Sequence, residues 1–253
     1  MGKIAVKNTL QIEKMRRAGA TAAKVLNKLA GLVRPGITTG EIDRQAAIMM
    51  EQEGCKSAFF RYRNFPGYIC ISVNEEVVHG IGGKRQINYG DLVKIDVGIN
   101  QDGWIGDNAR TIICGMVAPE VEQLCQGTHA MLDSVLQVAT AGNRIGDISA
   151  HIEGKARAQG WGVVRDLVGH GVGYFAHEAP HVFNYQVSEN NPDNIILKPG
   201  MVIAIEPMIN ARKHNVRVSG NSYTFISSDK SLSSHYEHSV AILEKGNLIL
   251  TKL

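Results

Sequence analysis

A long internal repeat constrains the fold of this 253-residue chain more than any other feature of its sequence. A shift of 106 residues aligns a turn glycine, a Gly-acid-Ile segment and a closing glycine in the same order, pairing Gly36, Gly40, Ile42 and Gly54 with Gly142, Gly146, Ile148 and Gly160. A shift of 110 residues superposes Gly90-Asp-Leu-Val-Lys-Ile-Asp96 on Gly200-Met-Val-Ile-Ala-Ile-Glu206. This period is far longer than the roughly 20–50 residues of solenoid repeats. We therefore predict two similar halves, each of which contributes acids to a shared centre.

Each half is predicted to contain two helices followed by strands. The first helix covers residues 10–33, where apolar residues recur at helical spacing after Thr9 as the N-cap. Thr38 and Glu41 have the spacing of a capping box, which predicts a second helix that ends near Gly54. Further helices are predicted at 119–141 and 147–159, and strands at 68–79, 91–99, 104–114, 201–210, 215–226 and 236–250. The pattern indicates one α+β domain over residues 1–253, with an N-terminal extension at 1–8 and halves of about 9–115 and 116–253.

The composition is that of a globular protein with 44% hydrophobic residues and a formal charge of +3. No run of about 18 apolar residues occurs, so we expect no transmembrane helix, and the segment from Met1 to Asn8 lacks the apolar core of a secretory signal. The four cysteines form no CxxC pair, which argues against structural zinc and disulfides and favours the cytoplasm. The small basic excess permits transient contact with an anionic partner such as a ribosome. We expect a monomer with no membrane partner and no nucleic-acid substrate.

Four carboxylates and one imidazole stand in or beside apolar, β-prone or glycine-rich segments, where an unpaired charge is costly: Asp96, Asp107, His170, Glu206 and Glu237. Oxygen-rich ligation with one imidazole suits divalent Mn, Fe or Co, with Mg and Zn as alternatives, and four carboxylates neutralise two dications. Asp96 and Asp107 flank an Asp-Gly turn signal. If residues 100–103 form a four-residue loop, positions whose numbers sum to 203 face each other. This register places Asp96 directly opposite Asp107.

Two further histidines, His79 and His177, have no ligand role in this scheme. Each alone is as compatible with a structural role as with a functional one, but beside a dinuclear centre both are candidates to hydrogen-bond the substrate and its tetrahedral intermediate. The segment His177-Glu-Ala-Pro-His181 also matches the HExxH pattern of zinc peptidases. That pattern needs an uninterrupted helix, which Pro180 would break. We therefore predict a loop here and no zincin site.

Six motifs in sequence order carry a resemblance to a known family. They are Cys70-Ile-Ser-Val-Asn-Glu-Glu-Val-Val-His-Gly-Ile81, Lys94-Ile-Asp-Val-Gly98, Gly106-Asp-Asn108, Gly169-His-Gly-Val-Gly173, Ile205-Glu-Pro-Met208 and Tyr236-Glu-His238. From about Thr9 onward, the chain resembles the type I methionine aminopeptidases in their compact bacterial form. The resemblance implies the pita-bread fold, in which two halves related by pseudo-twofold symmetry form an antiparallel β-sheet core with outer helices.

The resemblance also implies a role for each site residue. The ligands of two divalent ions (Mn, Fe, Co or Zn) would be Asp96, Asp107, His170, Glu206 and Glu237. Asp107 and Glu237 would bridge both ions, and Glu206 would also act as the proton shuttle. His79 and His177 would contact the scissile peptide. The implied reaction is hydrolytic removal of the initiator methionine from nascent polypeptides whose second residue is small.

The methionine side chain would be held by residues that line or border one pocket: Phe59, Tyr62, Phe65, Cys70, Ala176 and Tyr223. Ala176 stands where the family commonly has phenylalanine, and Tyr223 where it frequently has tryptophan. A paralogue with altered side-chain selectivity is therefore one alternative.

Two other readings are open, of which the first is another pita-bread peptidase and the second belongs to a different class of protein. An aminopeptidase P or prolidase would share the five ligands but usually carries an extra N-terminal domain. A non-catalytic binder of a ribosome or nucleic acid would use the aromatic–basic interleaving of Phe59-Phe-Arg-Tyr-Arg-Asn-Phe65. Because all five ligands are present, the sequence favours an enzyme over a binder.

Overall fold

A computed structural model of the chain describes residues 4–252, so residues 1–3 of the predicted N-terminal extension and residue 253 lie outside the description. The described helices are α1 (Thr9–Ala30), α2 (Thr39–Gln52), α3 (Pro119–Val135) and α4 (Ile145–Ala158). The strands that precede α3 are β1 (Lys56–Ser57), β2 (Cys70–Val73), β3 (Glu76–Val78), β4 (Leu92–Gln101) and β5 (Trp104–Ile113). Those that follow α4 are β6 (Gly162–Val163), β7 (Gly169–Gly171), β8 (Glu178–Val182), β9 (Val202–Ile205), β10 (Met208–Asn210), β11 (Val216–Val218), β12 (Phe225–Ser227), β13 (Ser233–His235), β14 (Glu237–Ile242) and β15 (Asn247–Ile249).

The helices confirm the predicted elements but differ at their ends. Asn8, not Thr9, is the N-cap of α1, because its Oδ1 accepts a hydrogen bond from the Gln11 N–H at 2.9 Å and the Gln11 side chain accepts one from the Asn8 N–H. The predicted capping box of Thr38 and Glu41 is confirmed at the start of α2. Helices α1 and α3 end earlier than predicted because their last turns tighten to i→i−3 hydrogen bonds. Between residues 4 and 252, no helix has the length and apolarity needed to cross a membrane.

The largest sheet has nine strands in the order β1-β4-β5-β14-β9-β7-β8, with β2 paired to β4 and β15 paired to β14. Its neighbouring strands pair antiparallel. Helices α1 and α2 contribute to one hydrophobic core, and α3 and α4 to another. An antiparallel sheet with outer helices, as predicted, is confirmed.

The backbone repeats where the sequence repeats. Matching glycines share left-handed φ angles, which are +88° and +95° at Gly36 and Gly142, and +90° and +86° at Gly90 and Gly200. Two isolated bridges, Thr38 with Gln86 and Arg144 with Ile196, are related by the same shifts of 106 and 110 residues. We propose that the two halves meet between β5 and α3, near residue 115.

The β4–β5 hairpin differs from the predicted register by two residues. Gln101 pairs with Trp104, so only Asp102 and Gly103 form the loop, and both have positive φ angles (+53° and +84°), as a type I′ turn requires. Asp96 therefore opposes Ala109 instead of Asp107, and the predicted direct opposition was wrong. Because a shift of two residues keeps each side chain on its face of the sheet, Asp96 and Asp107 remain diagonal neighbours on one face.

The segment after His177 is strand β8, where the sequence analysis predicted a loop. It completes its backbone hydrogen bonds against β7, which places His181 opposite His170. An extended segment cannot bring two histidines four residues apart to one metal ion as a helix does. This segment therefore lacks the helix that a zincin HExxH motif requires.

Candidate metal centre and active-site cavity

The five predicted ligands come from five neighbouring strands of the large sheet. Following the order β4-β5-β14-β9-β7, they are Asp96, Asp107, Glu237, Glu206 and His170, with Glu206 immediately after β9. The register aligns them, since Ala109 of β5 pairs with Asp96 on one side and with Glu237 on the other. The sheet thus gathers residues that are far apart in the sequence.

The donor atoms fit a bound cation. Asp107, His170 and Glu237 each offer one ligand atom, and these atoms all lie within 4.8 Å of one another. His170 Nε2 is also 3.5 Å from Glu206 Oε1. Two buried oxygens, Asp96 Oδ1 and Asp107 Oδ1, have no hydrogen-bond partner among the described residues. Buried carboxylate oxygens without donors are suited to a divalent ion, so the residues present fit the predicted metal.

His170 is arranged as a ligand by its neighbour. Its Nδ1 lies 3.0 Å from the carbonyl oxygen of Gly171. An Nδ1–H that donates to this carbonyl leaves the lone pair on Nε2, the nitrogen that faces Glu206. Burial lowers the pKa of His170 to about 3, so the ring is neutral and able to ligate at neutral pH.

The four carboxyl groups cannot all be ionised without a counter-charge. Burial raises the pKa of Asp96, Asp107, Glu206 and Glu237 well above the usual range, and the neighbouring carboxylates raise it further. For Glu237, the contributing neighbours are Asp107, Glu206 and Asp96. A divalent cation supplies the positive charge that lets these groups release their protons.

A cavity of about 700 Å³ opens onto the cluster, and it is lined by all the predicted site residues except Ala176. His79 lies at the end of β3 with a left-handed φ of +57°. The ring of His177 stacks on Tyr62, with centroids 5.5 Å apart, and packs against His170 at 4.2 Å. Burial, together with the charges of His177 and Arg63, lowers the pKa of His79 to about 4. Burial and Arg63 also lower the pKa of His177.

An apolar subpocket, formed by Phe59, Phe65, Cys70 and Tyr223, adjoins the carboxylates. Cys70 on β2 pairs directly with Asp96 on β4. Phe65 meets Tyr223 edge to face at 5.7 Å, and the Tyr223 hydroxyl donates to the Asn64 carbonyl oxygen at 2.8 Å. These contacts hold an apolar wall next to the candidate metal centre.

Ala176 is placed differently from the other predicted pocket residues. It is buried, with 5% of its surface exposed, but it does not line the cavity. The cavity wall that follows His177 is made by Glu178 and Ala179, while Phe175 is 71% exposed.

Two further residues lie close to the centre and are not among those predicted from the sequence. His235 is buried, its Nε2 lies 3.6 Å from Glu206 Oε2, and neither ring nitrogen has a hydrogen-bond partner among the described residues. Its position two residues before Glu237 was the available signal. Arg63 lines the cavity beside the two histidines and was visible only as a basic residue within an aromatic segment.

Comparisons with known proteins identify the family of the chain. Residues 13–244 match metallopeptidase family M24. The methionine aminopeptidase of Clostridium acetobutylicum is 41% identical over 249 residues, covering 98% of each chain, and that of Escherichia coli is 39% identical over 250 residues, covering 98% of this chain and 94% of that protein.

Solved structures support the same fold. The methionine aminopeptidase of Thermotoga maritima superposes with a TM-score of 0.96 at 35% identity, covering 99% of this chain and 100% of that chain. A prolidase from Pyrococcus furiosus, at 24% identity and a TM-score of 0.79, covers 98% of this chain and 65% of its own and shares the fold alone. The predicted pita-bread fold and a metal-dependent hydrolase are confirmed. The chain therefore belongs to metallopeptidase family M24, alongside these methionine aminopeptidases.

Proposed function

We propose that this protein removes the N-terminal methionine from nascent polypeptides whose second residue is small, using two divalent ions. The ions would be held by Asp96, Asp107, His170, Glu206 and Glu237, with Asp107 and Glu237 as bridges. The observation that carries the proposal is the pairing of Cys70, a wall residue of the apolar subpocket, with Asp96. A substrate whose first side chain occupies the subpocket would therefore have its first peptide bond beside the carboxylates. The methionine aminopeptidase relatives point to the same substrate.

The subpocket suits a methionine side chain. Methionine is unbranched and flexible, and its polarisable sulfur makes favourable contacts with aromatic rings. Phe59, Phe65 and Tyr223 supply three such rings. Tyr62, which lines the cavity and stacks on His177, would limit the size of the second residue.

The residues of the chain would divide the chemistry among them. Bound divalent ions supply a nucleophilic water near neutral pH and polarise the scissile carbonyl. Glu206, whose carboxyl pKa is raised by burial and by Asp107, would accept the proton of the attacking water and deliver it to the leaving amine. His79 has a pKa of about 4 and is neutral at pH 7, so it would donate an N–H hydrogen bond to the developing oxyanion. His177 would make a second contact with the scissile peptide.

Peptide selectivity tests the proposal. The protein, loaded separately with Mn, Fe, Co and Zn, is assayed on Met-Ala-Ser, Leu-Ala-Ser, Met-Trp-Ser and Gly-Pro peptides, with the bound metal counted by atomic emission. We expect preferential cleavage of Met-Ala-Ser and two ions per chain at full activity. Preferential cleavage of Gly-Pro would assign a prolidase-type activity instead and overturn the proposal.

We also propose that the enzyme works as a monomer in the cytoplasm, with transient ribosome contact. Light scattering on the purified protein tests the first part, and a stable dimer at micromolar concentration would contradict it. Sedimentation with ribosomes in low and physiological salt tests the second part, because contacts based on charge weaken as salt rises.

A further inference from the structure

Lys7 and Glu178 form a buried ion pair beside the active-site cavity, and the chemistry proposed above does not use it. Lys7 Nζ is 2.8 Å from Glu178 Oε2, and the two side chains are 5% and 12% exposed. Lys7 lies before α1, 171 residues away from Glu178 in sequence. Its position next to the active site therefore arises only from the tertiary fold.

The path of the segment around Lys7 is fixed by its backbone as well. The Lys7 N–H donates to the Gly200 carbonyl oxygen at 2.7 Å. Gly200 has a φ of +86°, and a Cβ added there would lie 2.6 Å from the Lys7 carbonyl oxygen. The glycine thus allows a close approach that a side chain would block. This contact joins the segment to the turn before β9, the strand that leads to Glu206.

Glu178 closes the turn that carries His177. Its second oxygen, Oε1, accepts a hydrogen bond from the Phe175 N–H at 3.2 Å. A Cβ added to Gly173 would lie 2.4 Å from the same oxygen, so the carboxylate fills the inside of the turn. Glu178 also begins β8 and pairs with Gly171, the neighbour of His170. One carboxylate therefore links the segment before α1, the turn and the strand.

Loss of Lys7 would change the position of this turn. Without its counter-charge, the largely buried Glu178 carboxylate is stabilised by rotating toward water. That rotation would break the hydrogen bond from the Phe175 N–H to Glu178 Oε1. The turn that carries His177 would then be held less firmly. Misplacement of a catalytic group by about 1 Å can cost roughly 100-fold in rate.

We propose that Lys7 is a positioning residue for His177, acting through Glu178. Residues 4–8, which precede α1, are in this view a strap that holds the turn at 173–178 in place. The inference rests on the proposed role of His177 in peptide hydrolysis.

Four variants of the full chain, loaded with metal, test the strap. Lys7→Met is expected to lower kcat on Met-Ala-Ser by about 10- to 100-fold with metal content unchanged. Lys7→Arg, which keeps the charge, should recover most of the loss. Lys24→Met is the matched control, because it removes a surface pair with Glu53 in which Lys24 is 50% exposed, and it should leave kcat unchanged. The double variant Lys7→Met/Glu178→Leu removes both charges and also the oxygen that accepts the Phe175 N–H, so its thermal midpoint should recover while its kcat stays low.

A double-mutant cycle separates positioning from general stability. In a His177→Ala background, Lys7→Met should cost little further activity, because the group that it positions is already absent. Hydrogen exchange at residues 173–178 gives a readout independent of activity, and it should accelerate in Lys7→Met but not in Lys24→Met.

The outcomes separate this inference from the proposed function. A kcat that recovers together with the thermal midpoint in the double variant would show a merely structural pair and overturn the inference. An equal loss with and without His177, or unchanged hydrogen exchange, would also overturn it. If the unsubstituted, metal-loaded protein cleaves no methionine peptide, the proposed function fails, while the exchange measurement still tests the strap.

Discussion

Gly98 sets the size of the apolar subpocket, because Phe59 occupies the space where its side chain would be. A Cβ on Gly98 would lie 2.4 Å from Phe59 Cε1 and 2.5 Å from Cζ, whereas ordinary contacts are 3.4–4 Å. The Phe59 ring would therefore have to move by about 1–1.6 Å, the difference between these distances. The strand cannot move instead, since Gly98 pairs with Asp107 and its carbonyl accepts the Ala58 N–H at 2.9 Å.

Gly98→Ala is expected to push Phe59 into the subpocket and exclude about one methylene of a bound side chain. The fit of one methylene in a hydrophobic pocket is worth about 1–3 kcal/mol, or roughly 10- to 200-fold in kcat/KM. We expect kcat/KM for Met-Ala-Ser to fall at least about 10-fold, but that for the shorter 2-aminobutyryl-Ala-Ser to fall by less than about 3-fold. The overpacked core should also lose about 1–3 kcal/mol of stability.

Steady-state kinetics on the two peptides at saturating metal measure this difference. Gly154→Ala in α4 is the control, because nothing lies within 4 Å of its added Cβ. It should leave both kcat/KM values unchanged and stabilise the fold by about 0.5–1 kcal/mol. Adding Phe59→Leu to Gly98→Ala should restore methionine cleavage. An equal loss of kcat/KM for both peptides would refute the reasoning, because the position of the Phe59 ring would then not determine which substrate side chain fits the subpocket.

Other perturbations separate the roles of the centre's residues. His79→Ala or His177→Ala should lower kcat by about 100- to 1,000-fold with metal content near normal, and lost metal would instead make the residue a ligand. Glu237→Ala should weaken the binding of both ions in calorimetry; one ion bound at full affinity would exclude Glu237 as the bridge. The gain in thermal midpoint on adding metal should grow between pH 5.5 and 8. In the metal-free protein, the pKa values of Asp96, Asp107, Glu206 and Glu237 are raised, so the stability that these four groups contribute is present below about pH 4 and is lost as the pH rises through the raised values. Bound metal offsets this loss, so the gain that it gives increases with pH. A gain that is constant or shrinks would contradict this linkage.

The candidate metal centre could be predicted because its physical signal is local. A carboxylate in an apolar strand needs a positive charge or hydrogen-bond donors nearby, whatever the fold around that strand. The sequence alone therefore identifies Asp96 and Glu206 as candidate metal ligands. The repeat then indicated that these two residues occupy equivalent places in the two halves. The Asp-Gly signal correctly located the β4–β5 turn, because the short-range backbone preferences of these residues decide it.

The remaining features depend on contacts that no local pattern encodes. Two- and four-residue loops both place Asp96 and Asp107 on one face, so periodicity alone could not choose the register. The β8 conformation comes from its pairing with β7, a tertiary contact that overrides the loop-like composition around Pro180. The partnership of Lys7 with Glu178 spans 171 residues of sequence, and a lysine in the short segment before α1 gives no indication of its partner.

Strand β14 lies between β5 and β9 in the sheet, although it is synthesised after both. Until β14 emerges from the ribosome, those two strands present unpaired edges, which are prone to intermolecular pairing. Insertion of β14 closes this gap, and its first residue, Glu237, brings a carboxylate to the candidate centre in the same step. A chain still waiting for β14 therefore lacks both a continuous sheet and the complete set of proposed ligands, so binding of the proposed ions would depend on the last strands to be synthesised.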